Sequence, residues 1–214
     1  MVNWRAMATL IYLHGKNGRM GQAVTVSIQK NSGFALCDTM PVCDVVIDFS
    51  SPAALQTLLE AGKPLVIGTT GYGEAEMKMI QEAAKVIPIF HTSNFSLGIM
   101  HLREIVRELS EKTGSQAAIE IIEAHHRTKK DQPSGTALTL LKETGRDVPI
   151  HSIRAGDILG DHTVIFGFNG ERIEVKHQVH SREPFALGAL KAAQFIKTKP
   201  PGYYTMKDLY DASC

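Results

Sequence analysis

The stretch TLIYLHGKNGRMG, Thr9 to Gly21, decides the fold. Thr9 to Leu13 is a short apolar run rich in β-formers. It runs straight into Gly15-Lys16-Asn17-Gly18-Arg19-Met20-Gly21. Glycines after a buried strand let the backbone turn tightly and approach a pyrophosphate, whose charge then sits at the next helix's N-terminus. Spaced GxxGxxG, this is a loose form of the dinucleotide fingerprint, and a Gly-rich turn without a ligand has the same composition.

The pattern repeats outward. Phe34 to Cys37 is a weaker apolar run ending at Asp38, and Val45 to Phe49 (VVIDF) precedes Ser50-Ser51-Pro52. Pro52 to Glu60 reads as a helix, with Pro at its first position and Gly62 just past its end. Leu65 to Ile67 ends in Gly68-Thr69-Thr70-Gly71; a helical stretch runs from Gly73 to about Lys85, and Ile89 to His91 follows. Strand and helix alternating at this spacing predict right-handed βαβ units and a parallel sheet. Asp38, ending the second strand, is placed to accept a bond from a ribose hydroxyl. Followed by Thr39, it favours a free 2′-OH over a 2′-phosphate. Gly68 to Thr70 and Thr92-Ser93-Asn94-Phe95-Ser96 are small and hydroxylated residues where open α/β sheets bind ligands; turn chemistry alone has the same composition.

The second half has another texture. Ser96 to Lys112 predicts an amphipathic helix with Leu102, Ile105, Val106 and Leu109 on one stripe. Ile119 to Ala124 reads as a strand and Thr136 to about Lys142 as a short helix. Asn169-Gly170, between Thr163–Phe168 and Arg172–Val179, predicts a two-residue type I′ hairpin. These signals predict a second, α+β domain from residue 96, with a late helix over Pro184 to Lys197 broken at Pro200-Pro201-Gly202.

The densest chemistry is Glu123-Ala124-His125-His126-Arg127-Thr128-Lys129-Lys130-Asp131-Gln132-Pro133-Ser134-Gly135-Thr136. Five of the six residues from 125 to 130 can be cationic, and they lead into a helix start with open backbone N–H groups. Cations at a helix N-terminus make an anion pocket, and a histidine there exchanges protons near neutral pH. Crowding of this kind costs repulsion that a bound anion would relieve. His177 and His180 are unremarkable by spacing. No HExxH or His/Cys ligand set occurs, so no metal is expected. Read from the residues alone, a nucleotide-binding regulator and another small-substrate dehydrogenase, such as an amino-acid dehydrogenase, remain alternatives.

Composition bounds the rest. The 214 residues carry 23 Lys plus Arg against 22 Asp plus Glu, a formal charge of +1 that excludes a chain-wide grip on nucleic acid or anionic membrane. Apolar runs are too short to span a bilayer, and no signal-peptide pattern is seen. Cys37, Cys43 and Cys214 form no paired framework, so a soluble protein of a reducing compartment is expected. Met1 to Ala6 show no strand period and are expected to be mobile.

Taken in order, the blocks resemble the dihydrodipicolinate reductase family of lysine and diaminopimelate synthesis. They are Gly18-Arg19-Met20-Gly21, Val45 to Ser50, Gly68 to Gly71, Ser93 to Ser96, Glu120 to Arg127, Pro133 to Ala137, Arg154 to Asp157, Gly160 to Thr163 and His177 to Ala186. The resemblance implies a Rossmann-like dinucleotide-binding domain over 1–95, an α+β substrate-binding and oligomerisation domain over 96–182, and residues 183–214 returning to the first domain. It implies reduction of a cyclic imine dicarboxylate by NADH or NADPH in a cytoplasmic homotetramer. It implies His125 and Lys129 as the catalytic pair and His126, Gly135 and Thr136 as substrate contacts. Gly15, Lys16, Asn17, Gly18, Arg19, Met20, Asp38, Gly68, Thr69, Thr70, Thr92, Ser93, Asn94 and Phe95 would hold the cofactor. The chain departs from the family in being short over Gly21 to Asp44 and over Ala137 to Arg154, and in having Thr128 where a histidine is common.

Overall fold

A computed structural model describes residues 8–212, so the expectations for Met1 to Ala6 and for Cys214 lie outside the described residues. The chain divides into two units. One runs to Phe95 and resumes at Glu183; the other is Ser96–Arg182.

The first unit is built on β1 (Thr9–His14), β2 (Phe34–Leu36), β3 (Val45–Asp48), β4 (Leu65–Ile67), β5 (Pro88–His91) and a late strand, β10 (Gly202–Tyr204). All pair in parallel, in the order β10-β5-β4-β3-β1-β2. Every residue of β3 and β4 is buried, which is why these strands read as continuous apolar runs rather than alternating ones. The connecting helices α1 (Arg19–Gln29), α2 (Leu55–Glu60) and α3 (Glu74–Ala83) cover them, and Leu55, Leu58 and Ile80 close one core against Val46, Leu65, Ile67 and Ile89. Helix α6 (Glu183–Ile196) buries Ala186, Ala189, Ala192 and Ala193, small residues that bring its backbone close to the sheet. The chain order reverses at β1, which has β3 on one side and β2 on the other. Such a switch point opens a crevice at the strands' carboxyl ends.

The second unit has four strands, β6 (Ala118–His125), β7 (Ile150–Arg154), β8 (Asp161–Gly167) and β9 (Arg172–Gln178), in the order β7-β6-β8-β9. β6 and β7 are parallel and the other pairs antiparallel. Helices α4 (Leu97–Thr113) and α5 (Gly135–Thr144) cover one face, where Leu102, Val106, Ala137 and Leu140 meet Ile119, Ile121, Val164 and Phe166. Strand β7 was not foreseen: it is short and only half-buried, so it has no hydrophobic period.

Two local expectations are corrected. Ile105 is 43% exposed; the buried stripe of α4 is Ile99, Leu102, Val106 and Ser110 with Met100, and Ile105 lies about 100° around the helix from Val106. The β8–β9 hairpin forms around Asn169-Gly170, with the Phe168 N–H donating to the Glu171 carbonyl at 2.8 Å. It is not type I′. That turn needs positive φ at both central residues, and only Gly170 has it, at +81°. The left-handed demand therefore falls on Gly170 alone. Gly170→Ala is expected to cost about 1–2 kcal/mol and Asn169→Ala less than about 0.5 kcal/mol, read from urea melts of both variants.

Candidate active site

In the first unit the glycine loop is fixed by sterics. Gly15 has φ +81°, and a Cβ there would lie 2.4 Å from the Phe49 carbonyl oxygen; one on Gly21 would lie 2.2 Å from the Gly15 oxygen. The Gly18 N–H donates to that same Gly15 oxygen at 3.0 Å, so the loop closes on itself. Gly18 then caps α1 with no side chain over the helix's first N–H groups. A cavity of about 300 Å³ is lined by Gly15, Lys16, Asn17 and Gly18 on one side and Cys37 and Asp38 on the other. Arg19 and Met20 open α1. Loop, helix terminus and strand-end carboxylate fit a pyridine nucleotide: backbone N–H groups for phosphate and an acid for a ribose hydroxyl.

The neighbouring strand ends are held from below. Asp48 is fully buried at the end of β3; Ser50 Oγ donates to its Oδ1 at 2.6 Å and Thr69 Oγ1 to its Oδ2 at 2.7 Å. The Thr69 hydroxyl also accepts from the Ser50 N–H at 2.9 Å. Thr69 is thus buried structure, and Gly68 and Thr70 flank it. After β5, Thr92 Oγ1 donates to the Asn94 carbonyl and accepts the Asn94 N–H, a local turn beside Ser93. Phe95 is buried, edge-on to Phe49 with ring centroids 5.4 Å apart and stacked at 6.1 Å on Phe90.

In the second unit, β6 buries Ile119 and Ile121 and then, on the same face, Glu123 and His125. The register brings partners to them from both sides. Ser152 and Arg154 of β7 lie opposite Glu123 and His125, and His162 of β8 lies opposite Glu123. Glu123 is wholly buried. Arg154 clasps its carboxylate with two N–H groups at 2.9 and 2.7 Å, the Ser134 N–H approaches at 3.3 Å, and His125 Nδ1 bonds to Oε2. His125 Nε2 points toward Gly160, where a Cβ would stand 3.2 Å away. The His125 and His162 rings meet edge to face at 5.3 Å. His162 Nε2 lies 3.2 Å from Ser134 Oγ, which caps α5 by accepting the Ala137 N–H. His177 Nε2 similarly lies 3.3 Å from Ser96 Oγ, the N-cap of α4.

The basic loop follows. His126 Nδ1 lies 2.9 Å from Thr128 Oγ1, and Lys129 Nζ donates to Asp131 Oδ1 at 2.7 Å. Arg154 also donates to the Asp131 carbonyl at 2.6 Å. Gly135 and Thr136 form the first turn of α5. Charge crowding in this segment is therefore relieved internally: Asp131 pairs with Lys129 and Glu123 with His125 and Arg154. The repulsion argument for a bound anion does not hold at those positions.

Electrostatics sort the ionisable groups. Burial raises the Glu123 carboxyl, but the bonds from Arg154, Ser152 and His125 outweigh it and bring it down to about 2. Burial lowers His125, which Glu123 partly restores. Burial, with His125 nearby, pushes His162 down to about 4. A neutral His162, an ionised Glu123 and a His125 held below its ordinary value sit within one strand register. Glu123, Arg154 and His162 are functional candidates that the sequence pattern does not single out. The i, i+2 spacing of Glu123 and His125 in a strand was the one available signal.

A parallel sheet with a glycine loop at its switch point, carried in one chain with an acid–base cluster on a mixed sheet, defines a pyridine-nucleotide-dependent oxidoreductase. Family comparison narrows this. The model described as dihydrodipicolinate reductase, C-terminus, matches residues 98–210, and the one for the N-terminus matches residues 35–95. A 4-hydroxy-tetrahydrodipicolinate reductase from Clostridium tetani is 40% identical over 243 residues, covering 92% of this chain and 94% of that protein. One from Thermosipho africanus is 42% identical over 207 residues, covering 91% and 94%. A dipicolinate-bound dihydrodipicolinate reductase from Paenisporosarcina sp. TG-14 has the same fold, with TM-score 0.71 at 19% identity over 93% of this chain and 98% of that one. The chain belongs to the dihydrodipicolinate reductase family.

The His162 environment carries a stability consequence. An unfolded histidine titrates near 6.5, so holding His162 neutral in the fold is without cost above that pH. Below it the unfolded chain binds the proton first, and stability falls until about pH 4. His125 and His177, also lowered by burial, act in the same direction, while Glu123 and Asp161 oppose it at His162. Urea unfolding from pH 7 to 4 should lose roughly 3 kcal/mol through His162, and His162→Gln should flatten that slope; an unchanged slope would refute the assignment.

Proposed function

We propose that the chain reduces the cyclic imine dicarboxylate formed from 4-hydroxy-tetrahydrodipicolinate to tetrahydrodipicolinate, a step of lysine and diaminopimelate synthesis. The observation that carries this reading is the His125–Lys129 segment entering the α5 N-terminus, in a chain whose relatives bear that enzyme's name. Gly15 to Met20, Asp38, Gly68 to Thr70 and Thr92 to Phe95 hold the cofactor, and a bound reduced nicotinamide supplies the hydride. His126, the N–H groups of Gly135 and Thr136 and the Thr136 hydroxyl bind the carboxylates, one of which finds the positive end of α5. Lys129 uses one of its ammonium N–H bonds on Asp131, leaving others to donate as negative charge develops on the ring. His125, through Nε2, shares the proton traffic.

The second sheet leaves one face without helices, where Ile122, Ile153 and Ile165 lie on adjacent strands. This face supports self-assembly through the second unit; that the assembly is a homotetramer of the cytoplasm is what the family resemblance implies. The function is tested by loss of nicotinamide absorbance when the substrate is made in situ by its synthase. Absence of turnover with either cofactor would overturn it.

Asp38 at the rim of the cofactor cavity accepts a 2′-OH and repels a 2′-phosphate, although Arg19 at the start of α1 opposes that bias. NADH is therefore expected to give a kcat/KM at least equal to that of NADPH. Steady-state constants for both cofactors decide it, and a strong NADPH preference would remove Asp38 from the ribose.

Lys129 and Thr136 should separate kinetically. The Lys129 interaction strengthens as charge develops, so Lys129→Ala should lower kcat by about 10²–10⁴-fold. Thr136 contacts a carboxylate that is charged throughout, so Thr136→Ala should raise KM about 10- to 150-fold, the equivalent of about 1.5–3 kcal/mol. Hydride transfer that stays fast in Lys129→Ala in single-turnover experiments would exclude it as proton donor.

A further inference from the structure

The ion pair beneath His125 is placed as if to control that ring. Glu123 and His125 share a strand face, and Arg154 reaches Glu123 from the strand position opposite His125. A buried ion pair is weak evidence for stability, because apolar side chains of similar volume usually serve as well. Ile119 and Ile121 on the same face show that this sheet can bury apolar residues here. The carboxylate is instead spent on hydrogen bonds, one of them to a histidine.

We infer that Glu123 is a positioning residue: its carboxylate, clasped by Arg154, accepts a hydrogen bond from His125 Nδ1–H and so leaves Nε2 as the nitrogen that accepts and returns a proton. The inference rests on the reading of His125 as an acid–base group.

Bookkeeping of donors supports it. Oε2 of Glu123 is shared by Arg154 and His125 Nδ1, and Oε1 by Arg154 and the Ser134 N–H. An ionised carboxylate is acceptor-only, so the His125 nitrogen facing it must carry hydrogen. The proton goes to Nδ1, and in the neutral ring Nε2 is bare. His162 does not compete. Its Nε2 lies 3.2 Å from Ser134 Oγ, the cap of α5, and not against the Glu123 carboxylate. The charged groups around His125 are Glu123 on its own strand, Arg154 on β7, and Lys129 and Asp131 on the loop; His162 faces it from β8. Glu123 is the one among them bonded to the ring, so the imidazolium formed at Nε2 is stabilised by a direct partner.

Replacing the carboxylate by an amide gives a test with a definite sign. In Glu123→Gln the amide oxygen belongs at the Oε1 position, where two groups that can only donate converge, Arg154 and the Ser134 N–H, whereas Oε2 faces one such group, Arg154, and a ring nitrogen that can turn acceptor. The amide NH₂ then occupies the Oε2 position and donates to His125 Nδ1. The ring must invert its tautomer, with hydrogen on Nε2. Long-range ¹H–¹⁵N spectra of the histidine-labelled full chain at pH 8, with the His125 signals assigned by their loss in His125→Gln, report this directly.

The wild-type chain should show protonated Nδ1 and bare Nε2, and Glu123→Gln the reverse. With the inversion, kcat should fall between roughly 10²- and 10⁴-fold with KM little changed, since binding does not use Nε2. Glu123→Asp, which keeps the charge, should retain the wild-type tautomer and recover part of kcat. Protonated Nε2 in the wild type would overturn the inference, and that measurement needs no variant to fold. An unchanged tautomer in Glu123→Gln would overturn it as well. Inversion with unchanged kcat would uphold Glu123 as the group that positions His125 while overturning the acid–base reading of His125.

Discussion

The ion pair between Arg154 and Glu123 joins more of the second unit than any other side-chain contact described. One guanidinium meets both carboxylate oxygens from the neighbouring strand and, through the same nitrogen that reaches Oε1, the Asp131 carbonyl. The carboxylate in turn receives the Ser134 N–H at the start of α5 and His125 Nδ1 at the end of β6. Two strands, the exit of the basic loop and a helix N-terminus converge on one charge. Taking that charge out of water costs several kcal/mol, and the fork geometry with further hydrogen bonds offsets it. Removing one partner would be far worse than removing both, because the survivor would be a bare buried charge. The loop carrying His126 and Lys129 is therefore fixed at both ends by groups whose outright removal, one without the other, is costly.

The first unit solves a related problem with a different balance. Asp48 is a buried carboxyl to which, among the described residues, no cation bonds; the hydroxyls of Ser50 and Thr69 satisfy it. Those bonds tie the ends of β3 and β4 together beside the glycine loop. The loop itself is held by exclusion: Gly15 and Gly21 lie so close to backbone oxygens that any side chain would displace them. Hydroxyls bonding to carboxylate and glycines pressed on carbonyls leave backbone N–H groups at the α1 start for a phosphate. Rigidity at strand ends comes from short polar side chains, and openness comes from glycine.

What the sequence disclosed and what it hid follow one line. Elements whose information is local were legible. The runs TLIYL and VVIDF, the glycine loop, and Ser134 at the α5 start each carry their own signal within a few residues, and the order of blocks carried the family. Features that exist only through pairing were not. β10 is three residues at a sheet edge beside β5, behind two prolines that read simply as a breaker. β7 becomes a strand because β6 lies beside it. His177 looked unremarkable by spacing, yet it reaches the cap of α4 as His162 reaches the cap of α5. Arg154 and Glu123 are 31 residues apart in sequence, and no periodicity could have joined them. Ile105 failed for a subtler reason: an apolar residue next to Val106 in a helix cannot share its face unless the buried stripe is wide.

The internal pairing also changes how the basic loop should be expected to meet an anion. Lys129 is held by Asp131, and Arg154 by Glu123. Among the described residues, Arg127 and Lys130 are exposed and enter no ion pair. On the proposed function, a dianion approaching this loop would be met first by two solvated cations with ordinary screening, within about 10 Å at 0.1 M salt. Only afterwards would it reach the α5 N–H groups, fixed by the helix, and the Lys129 ammonium, held by Asp131. Attraction at a distance and orientation at contact are assigned to different residues. The first set can be weakened by salt without disturbing the second, because the charges that orient are neutralised within the fold and those that attract are not.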